Sequence, residues 1–348
     1  MKIPHGMLRI GYPYVNTVGM RRLTSCPISV VVGDDPHELH IMCRLEGSTN
    51  IRRLTLDDED KGAFNLLGAI TQIGGSFKVK ADFLWPSGMV KDSTGHLWIV
   101  DEGTHKISKM TIEGEVVNQW GVNGTKAGEL NRPSGIAIDN EGNIIVSDTM
   151  NHRIQKFTED GAYQHGFGSQ GEDPGKLNMP WGIDVDDAGN IYVADWRNDR
   201  IQKFDSEGNQ IMVVGSGTGD VDGKFNRPSA VKVDKDGDIY VTDWANHRIQ
   251  LFGADGHFVE KFIGDATLSE QARGYMITNM VAMRLREMTP IEPQKRFRWP
   301  VSVTVHDDYM YVPDFGSCRI QIYKKNVVRF SKGEIADRPR SNSLYTQF

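Results

Sequence analysis

The chain has 348 residues, 39% of them apolar, with 46 acidic against 40 basic side chains and a formal net charge of −6. That is enough apolar material for a large core, and the acidic balance excludes a protein held to nucleic acid by an overall basic field. Three cysteines, Cys26, Cys43 and Cys318, without Cys-x-x-Cys spacing exclude a disulfide framework and suggest free thiols.

In chain order, the opening residues 1–6 lack the apolar core of a signal peptide. No run approaches the length of a membrane span, so the expectation is a cytoplasmic protein without membrane contact. Met7 to Tyr12 reads as a lone strand with no partner in its own unit. The first unit is worn: Cys26-Pro27-Ile28-Ser29-Val30 leads to Leu39-His40-Ile41-Met42, then to Ile51 and Leu54, with Asn50 where later units carry Arg.

The later units are nearly intact. Arg132-Pro133-Ser134-Gly135-Ile136 leads to Asp148 and Arg153-Ile154-Gln155-Lys156-Phe157. Met179-Pro180-Trp181-Gly182-Ile183 leads to Asp195 and Arg200-Ile201-Gln202-Lys203-Phe204, and Arg227-Pro228-Ser229 leads to Asp243 and Arg248-Ile249-Gln250. The intervals Pro86–Pro133, Pro133–Pro180 and Pro180–Pro228 are 47, 47 and 48 residues, the period of a four-stranded blade. Alternating apolar residues such as Ile136 and Ile138, then Ile144 and Val146, predict short strands, and turns such as Asp187-Ala188-Gly189-Asn190 place Gly where a tight hairpin needs it.

Pro228 to Pro300 is longer, 72 residues. Thr267-Leu268-Ser269-Glu270 has capping-box form, and Ile277, Val281, Leu285 and Met288 fall on one helical stripe before Pro290 and Pro293. One or two helices are therefore predicted within about 264–296, as an arm over the channel mouth or packed on the rim. The last unit starts at Pro300 and the chain ends in a polar tail, 331–348.

Six Pro anchors, Pro27, Pro86, Pro133, Pro180, Pro228 and Pro300, predict an all-β fold: a six-bladed β-propeller of four-stranded antiparallel blades, with one helical insertion before the last blade. The expected organisation is a single propeller over 1–330. Within it, residues 1–25 form a closing strand region that supplies or shares the outer strand of the last blade, because a closed ring leaves no exposed edge.

These residues resemble the NHL repeat family, through triplets that appear here as Asn151-His152-Arg153 and Asn246-His247-Arg248. The likeness is strong over about 80–325 and weak over 1–80. It implies a fold that hosts lyases, RNA binders and interaction platforms, so it specifies no single function.

Two sets of residues separate by symmetry. Asp101, Asp148, Asp195, Asp243 and Asp314 each precede by five a basic residue, Lys106, Arg153, Arg200, Arg248 and Arg319, and this recurrence reads as an ion-paired brace in every blade. The residues flanking each Pro break symmetry. Trp85, Arg132, Met179, Trp181, Arg227 and Trp299 are the candidate ligand-binding set, an aromatic and cationic channel mouth for a protein or a small anionic ligand. Trp196 and Trp244 read as blade packing. His105, His152 and His247 invite a zinc reading, which the resemblance to amidating lyases encourages. Yet they are the repeat's own histidines without an acidic partner at ligand spacing, so no metal or other cofactor is assigned. The leading expectation is a binding or scaffold module. The alternatives are a lyase or hydrolase using a channel-bound zinc or calcium under the 264–296 insertion, and an RNA-binding propeller using arginines such as Arg284 and Arg286.

Overall fold

The computed structural model describes residues 8–45, 48–66, 70–73, 76–79 and 83–329. The tail expected at 331–348 lies outside the described residues, as do the first seven residues of the closing region.

The chain opens with β1 (Leu8–Gly11) and β2 (Tyr14–Val18). Blade I follows as β3 (Pro27–Val32), β4 (Glu38–Leu45), β5 (Ser48–Thr55) and β6 (Asp60–Asn65), and a separate hairpin, β7 (Ile70–Ile73) and β8 (Ser76–Val79), precedes blade II. Blade II is β9 (Pro86–Lys91), β10 (Leu97–Asp101), β11 (Lys106–Met110) and β12 (Val116–Trp120). Blade III is β13 (Gly135–Ile138), β14 (Ile144–Asp148), β15 (Arg153–Phe157) and β16 (Tyr163–Phe167). Blade IV is β17 (Pro180–Val185), β18 (Ile191–Asp195), β19 (Arg200–Phe204) and β20 (Gln210–Val214). Blade V is β21 (Pro228–Val233), β22 (Ile239–Asp243), β23 (Arg248–Phe252) and β24 (Phe258–Phe262). Blade VI contributes β25 (Thr304–His306), β26 (Tyr309–Asp314) and β27 (Arg319–Lys324), and β28 (Asn326–Arg329) follows. The sequence gives no warning of the β7–β8 hairpin.

A four-stranded sheet with apolar residues on both faces must bury both, and here each face packs on the next blade. The six core clusters fall one to each junction: Val30 and Ile41 meet Tyr311 and Ile320 at the ring's seam, and Ala194 and Ile201 meet Val231 and Val241 between blades IV and V. Closure uses the chain's beginning. β2 lies antiparallel on β27, with Val18 opposite Ile320 and Tyr14 opposite Tyr323, so blade VI has four strands drawn from both ends of the chain. β1 then pairs with β28 as a second, two-stranded clasp.

In blades I to V the inner hairpin turn is held by an Asp. Asp186 Oδ1 accepts the N–H groups of Ala188 and Asn190 at 3.0 and 2.9 Å, and Gly189 follows at φ 80°, a conformation that disfavours a side chain. At the opposite end of blades III to VI, the corner between the second and third strands is a short 3₁₀ turn, as in Trp196–Asn198, closed by a residue in the left-handed region.

The insertion contains three short helices rather than one or two: α1 (Glu270–Ile277), α2 (Met280–Glu287) and α3 (Ile291–Lys295). Asn279 and Pro290 supply the interruptions, since each disfavours continued helix, whereas Gly274 is accommodated within α1. Ser269 caps α1 by accepting from Ala272 N–H at 3.2 Å. Asp58, in blade I's outer turn, accepts from Gln271 N–H at 2.7 Å and from Gly19 N–H at 2.5 Å, so one carboxylate ties the arm to the closing strand. Asp58→Ala removes a helix-start acceptor worth about 1 kcal/mol. Limited proteolysis should then cut within 264–296 several-fold faster than in the parent protein, whereas an unchanged rate means the arm is anchored elsewhere.

Candidate functional site

The site is built on the corner face, where the loops leading into the inner strands meet the corners between second and third strands. The residue before Pro sits in the left-handed region at five of the six inner strands: Cys26, Arg132, Met179, Arg227 and Trp299, with φ between 49° and 56°. Proline bars the helical region to the residue before it, and a hydrogen bond from the preceding blade fixes this less common alternative. Arg132 N–H donates to His105 Nδ1 at 2.9 Å, Met179 N–H to His152 Nδ1 at 3.0 Å and Trp299 N–H to His247 Nδ1 at 3.0 Å. Asp199 does the same for Arg227 N–H through Oδ1, at 2.6 Å.

These latches explain the recurring histidines without a metal. Each ring uses Nδ1 to hold the next blade, and among the described residues no group of three or more His, Cys, Asp or Glu side chains could hold a metal ion. A latching Nδ1 must be unprotonated, and burial pushes both His105 and His152 below the ordinary histidine value. A base held low in the fold binds its proton more readily when unfolded. The stability it contributes is therefore present above the ordinary value of about 6.5 and lost as pH falls through the folded value. We expect the melting temperature to drop between pH 7 and 5. His105→Asp/His152→Asp, which installs the acceptor used by Asp199, should drop less. The remaining loss belongs chiefly to His40, pushed down to about 4 by burial and then by Arg53 and Lys91. Equal acid sensitivity in both proteins would contradict the latch.

Of the five predicted braces, four hold. Arg153, Arg200, Arg248 and Arg319 place Nε 2.7–2.8 Å from Asp148, Asp195, Asp243 and Asp314. In blade II, Lys106 instead donates to Gln119 at 2.8 Å, because a single ammonium lacks the guanidinium fork. Asp101 there accepts only backbone groups, including Leu84 N–H at 2.7 Å and Gly103 N–H at 2.8 Å. In blade I the two positions are Cys43 and Asn50, directly paired across β4 and β5.

An axial cavity of about 150 Å³ opens among the inner strands. Its serines face the neighbouring blade: Ser87 Oγ points to Pro133 O, Ser134 Oγ to Pro180 O, and Ser229 Oγ to Val301 O at 2.8 Å. The remaining prominent walls are Trp181, Trp196, Trp244 and Arg44. Trp181 meets Trp196 edge to face at 5.4 Å, and the Arg227 and Arg197 guanidinium carbons lie 4.9 and 5.2 Å from the Trp196 ring centroid. Arg44 stacks over Trp85 at 4.4 Å and donates to Pro86 O at 3.0 Å, and burial pulls its pKa down. Among the described residues no carboxylate lies within ion-pair distance of Arg44, Arg197 or Arg227.

The candidate set thus divides into groups. Trp181 lines the cavity, and Arg227 reaches it through Trp196. Trp85 and Arg132 border a shallower hollow of about 250 Å³ with Glu102 and His105, where Arg132 pairs with Glu102 at 3.1 Å. Burial pushes the Glu102 carboxyl up, against the pull of Arg132 and Arg44. Trp299 is half exposed and rests on His247 at 5.7 Å, and Met179 is fixed through its backbone, so neither joins the cavity wall. Arg44, Trp196 and Trp244 are not predicted by the letters around Pro. They share another position, the residue just after the brace carboxylate or its substitute: in order Arg44, Glu102, Thr149, Trp196, Trp244 and Phe315. That irregular series is the signal in the sequence that points to the mouth.

The NHL repeat model matches residues 130–157, 177–204 and 225–252, which run from the loop before Pro through the third strand of blades III, IV and V. No curated protein sequence matches the chain. Among solved structures, a catalytically inactive virginiamycin B lyase from Staphylococcus aureus, determined with quinupristin, is 12% identical and superposes with a TM-score of 0.53 over 91% of this chain and 99% of its own. A Bacteroides thetaiotaomicron protein of unknown function is also 12% identical, with a TM-score of 0.60 over 92% of this chain and 76% of its own. A nidogen/laminin complex contains a chain 19% identical, with a TM-score of 0.50 over 77% of this chain and 82% of that one. At such identities the likeness is one of fold. With six blades closed by the N-terminal strand and the repeat model matched in three of them, the chain is a six-bladed β-propeller that carries NHL repeats.

Proposed function

We propose that this propeller is a binding module whose axial mouth receives a carboxylate, carried by an acidic side chain of a protein partner or by a small anion. Arg44 carries the reading: a partly desolvated guanidinium at the cavity wall, stacked on Trp85, with Glu102 and Asp101 acting on it only from beyond ion-pair distance. A cation in that state gains most from an incoming anion. The cavity size favours a small group. At about 150 Å³ it holds one small group, whereas drug-sized ligands occupy roughly 300–1,000 Å³.

The arm favours a protein partner over a free anion. Ile277, Val281, Leu285 and Met288 are 68, 68, 61 and 82% exposed, so the stripe that could have packed on the rim instead faces outward. Apolar side chains in such a row suit a macromolecular contact.

The test is titration with acidic peptides, followed through the fluorescence of the mouth tryptophans. Arg44→Met should weaken binding about 10- to 100-fold, the scale of a charged hydrogen bond. Saturable binding of equal strength in the variant, or none in the parent, overturns the reading. The alternative of a metal-dependent lyase or hydrolase draws only on fold shared with a lyase at 12% identity. Stoichiometric zinc or calcium in protein purified without chelator would favour it, and salt-dependent retention of single-stranded RNA would favour the RNA-binding reading.

A further inference from the structure

The ring's seam carries two thiols where other junctions carry the latch. Cys318 closes blade VI's corner in the left-handed region at φ 54°, as His152 does at φ 55° in blade III. Cys26, at φ 51°, precedes Pro27 as Met179 precedes Pro180. At four other junctions the corner side chain meets the N–H of the residue before Pro at 2.6–3.0 Å. The same arrangement sets Cys318 beside Cys26, close enough for the Cys318 thiol to add to the upward push on that of Cys26. Thr24 Oγ donates to Cys318 O at 2.7 Å, fixing the N-terminal segment on this corner. Both thiols are partly exposed and line a surface cavity of about 830 Å³, together with Arg21, Arg298 and, from the arm, Pro290 and Gln294. The third cysteine is out of reach: Cys43 is 1% exposed, and burial pushes its thiol up to about 12.

We propose that Cys26 and Cys318 form a redox modification site, in which a low-molecular-weight disulfide of the glutathione type, drawn by its carboxylates to the arginine-flanked cavity, oxidises the pair to an intramolecular disulfide. The thiolate of one cysteine attacks the reagent's disulfide and expels one reagent thiolate. The second cysteine then attacks the mixed disulfide and expels the other. The balance is two protein thiols and one reagent disulfide giving one protein disulfide and two reagent thiols. The bridge joins the first inner strand to the last blade, so it adds a covalent staple to the closure made by β2 on β27 and β1 on β28. Burial and the neighbouring thiol push the Cys26 thiol up, so the reaction should speed up as pH rises.

The full-length protein is incubated with oxidised glutathione and its peptides are mapped by mass spectrometry without reduction. The expected result is a Cys26–Cys318 linked peptide, a protein lighter by two hydrogens, and a melting temperature higher by about 5 °C, all reversed by dithiothreitol. Cys318→His, which restores the residue found at this corner in three other blades, should fold and show none of these changes. A stable single glutathione adduct, a bridge involving Cys43, intermolecular bridges alone or no reaction would each overturn the proposal.

Discussion

Asp195→Ala should lower the free energy of unfolding by about 3–5 kcal/mol, the scale for removing one partner of a buried ion pair. Asp195 is fully buried and takes four donors: Asn178 N–H at 2.7 Å, Asn198 Nδ2 and Arg200 Nε at 2.8 Å, and Gln202 Nε2 at 3.1 Å. Arg200 meanwhile holds the connecting loop through the carbonyls of Glu172, Asp173 and Lys176 at 2.6, 3.0 and 2.8 Å. Deleting the carboxylate leaves a guanidinium with its charge uncompensated and a backbone N–H without an acceptor. Burial nevertheless pushes the Asp195 carboxyl above its usual range, so the network contributes less to net stability than it costs to break. Asp195→Asn keeps an acceptor and should cost about half as much. Urea unfolding midpoints measure both, and a loss below about 1 kcal/mol for Asp195→Ala would show that the brace is dispensable.

Removing residues 1–18 should be more damaging still. Without β2, blade VI keeps three strands and the seam loses Val18, fully buried among Val30, Tyr311 and Ile320. Two aromatic ties also go: Tyr12, whose hydroxyl meets that of Tyr240 at 2.8 Å, and Tyr14, which meets Tyr323 edge to face at 5.8 Å. Burial of these side chains contributes about 5 kcal/mol or more, the whole stability of a marginal domain. β27 would also present a bare edge to other chains. We expect the truncated protein to aggregate or to lack a cooperative thermal transition, and a synthetic peptide spanning 8–20 to restore one in part. A truncated chain that melts cooperatively within about 5 °C of the parent would mean that the ring does not depend on its N-terminal strand.

The fold was legible because the repeat writes the same physical demands many times. Pro at the inner strand, Gly in the turn, and Asp and Arg at fixed spacing each satisfy one local requirement, and a stack of equivalent blades satisfies them together. The worn first unit stays in register, since Cys43 and Asn50 occupy the brace position without its charges. The site was less legible for a geometric reason. Residues beside Pro all lie on one face, yet only Trp181 of the six projects into the cavity, while the backbone latch fixes Met179 and Trp299 around the rim. Arg44 follows a substituted brace residue in the most divergent blade, so its place in that series shows only once blade I is aligned with the others. Helix in the arm was readable from spacing, but the single stripe was not realised: Ile277 ends α1, Val281 and Leu285 share α2 and Met288 follows it, and whether these residues face the rim or solvent depends on tertiary packing that no local pattern encodes.

The most direct test of a carboxylate-binding mouth is a crystal structure of the protein with an acidic peptide that saturates the tryptophan signal. The account predicts a carboxylate hydrogen-bonded to the Arg44 guanidinium and walled by Trp181 and Trp196. A peptide seated on the outer strands or the opposite face, with Arg44 untouched, would contradict it.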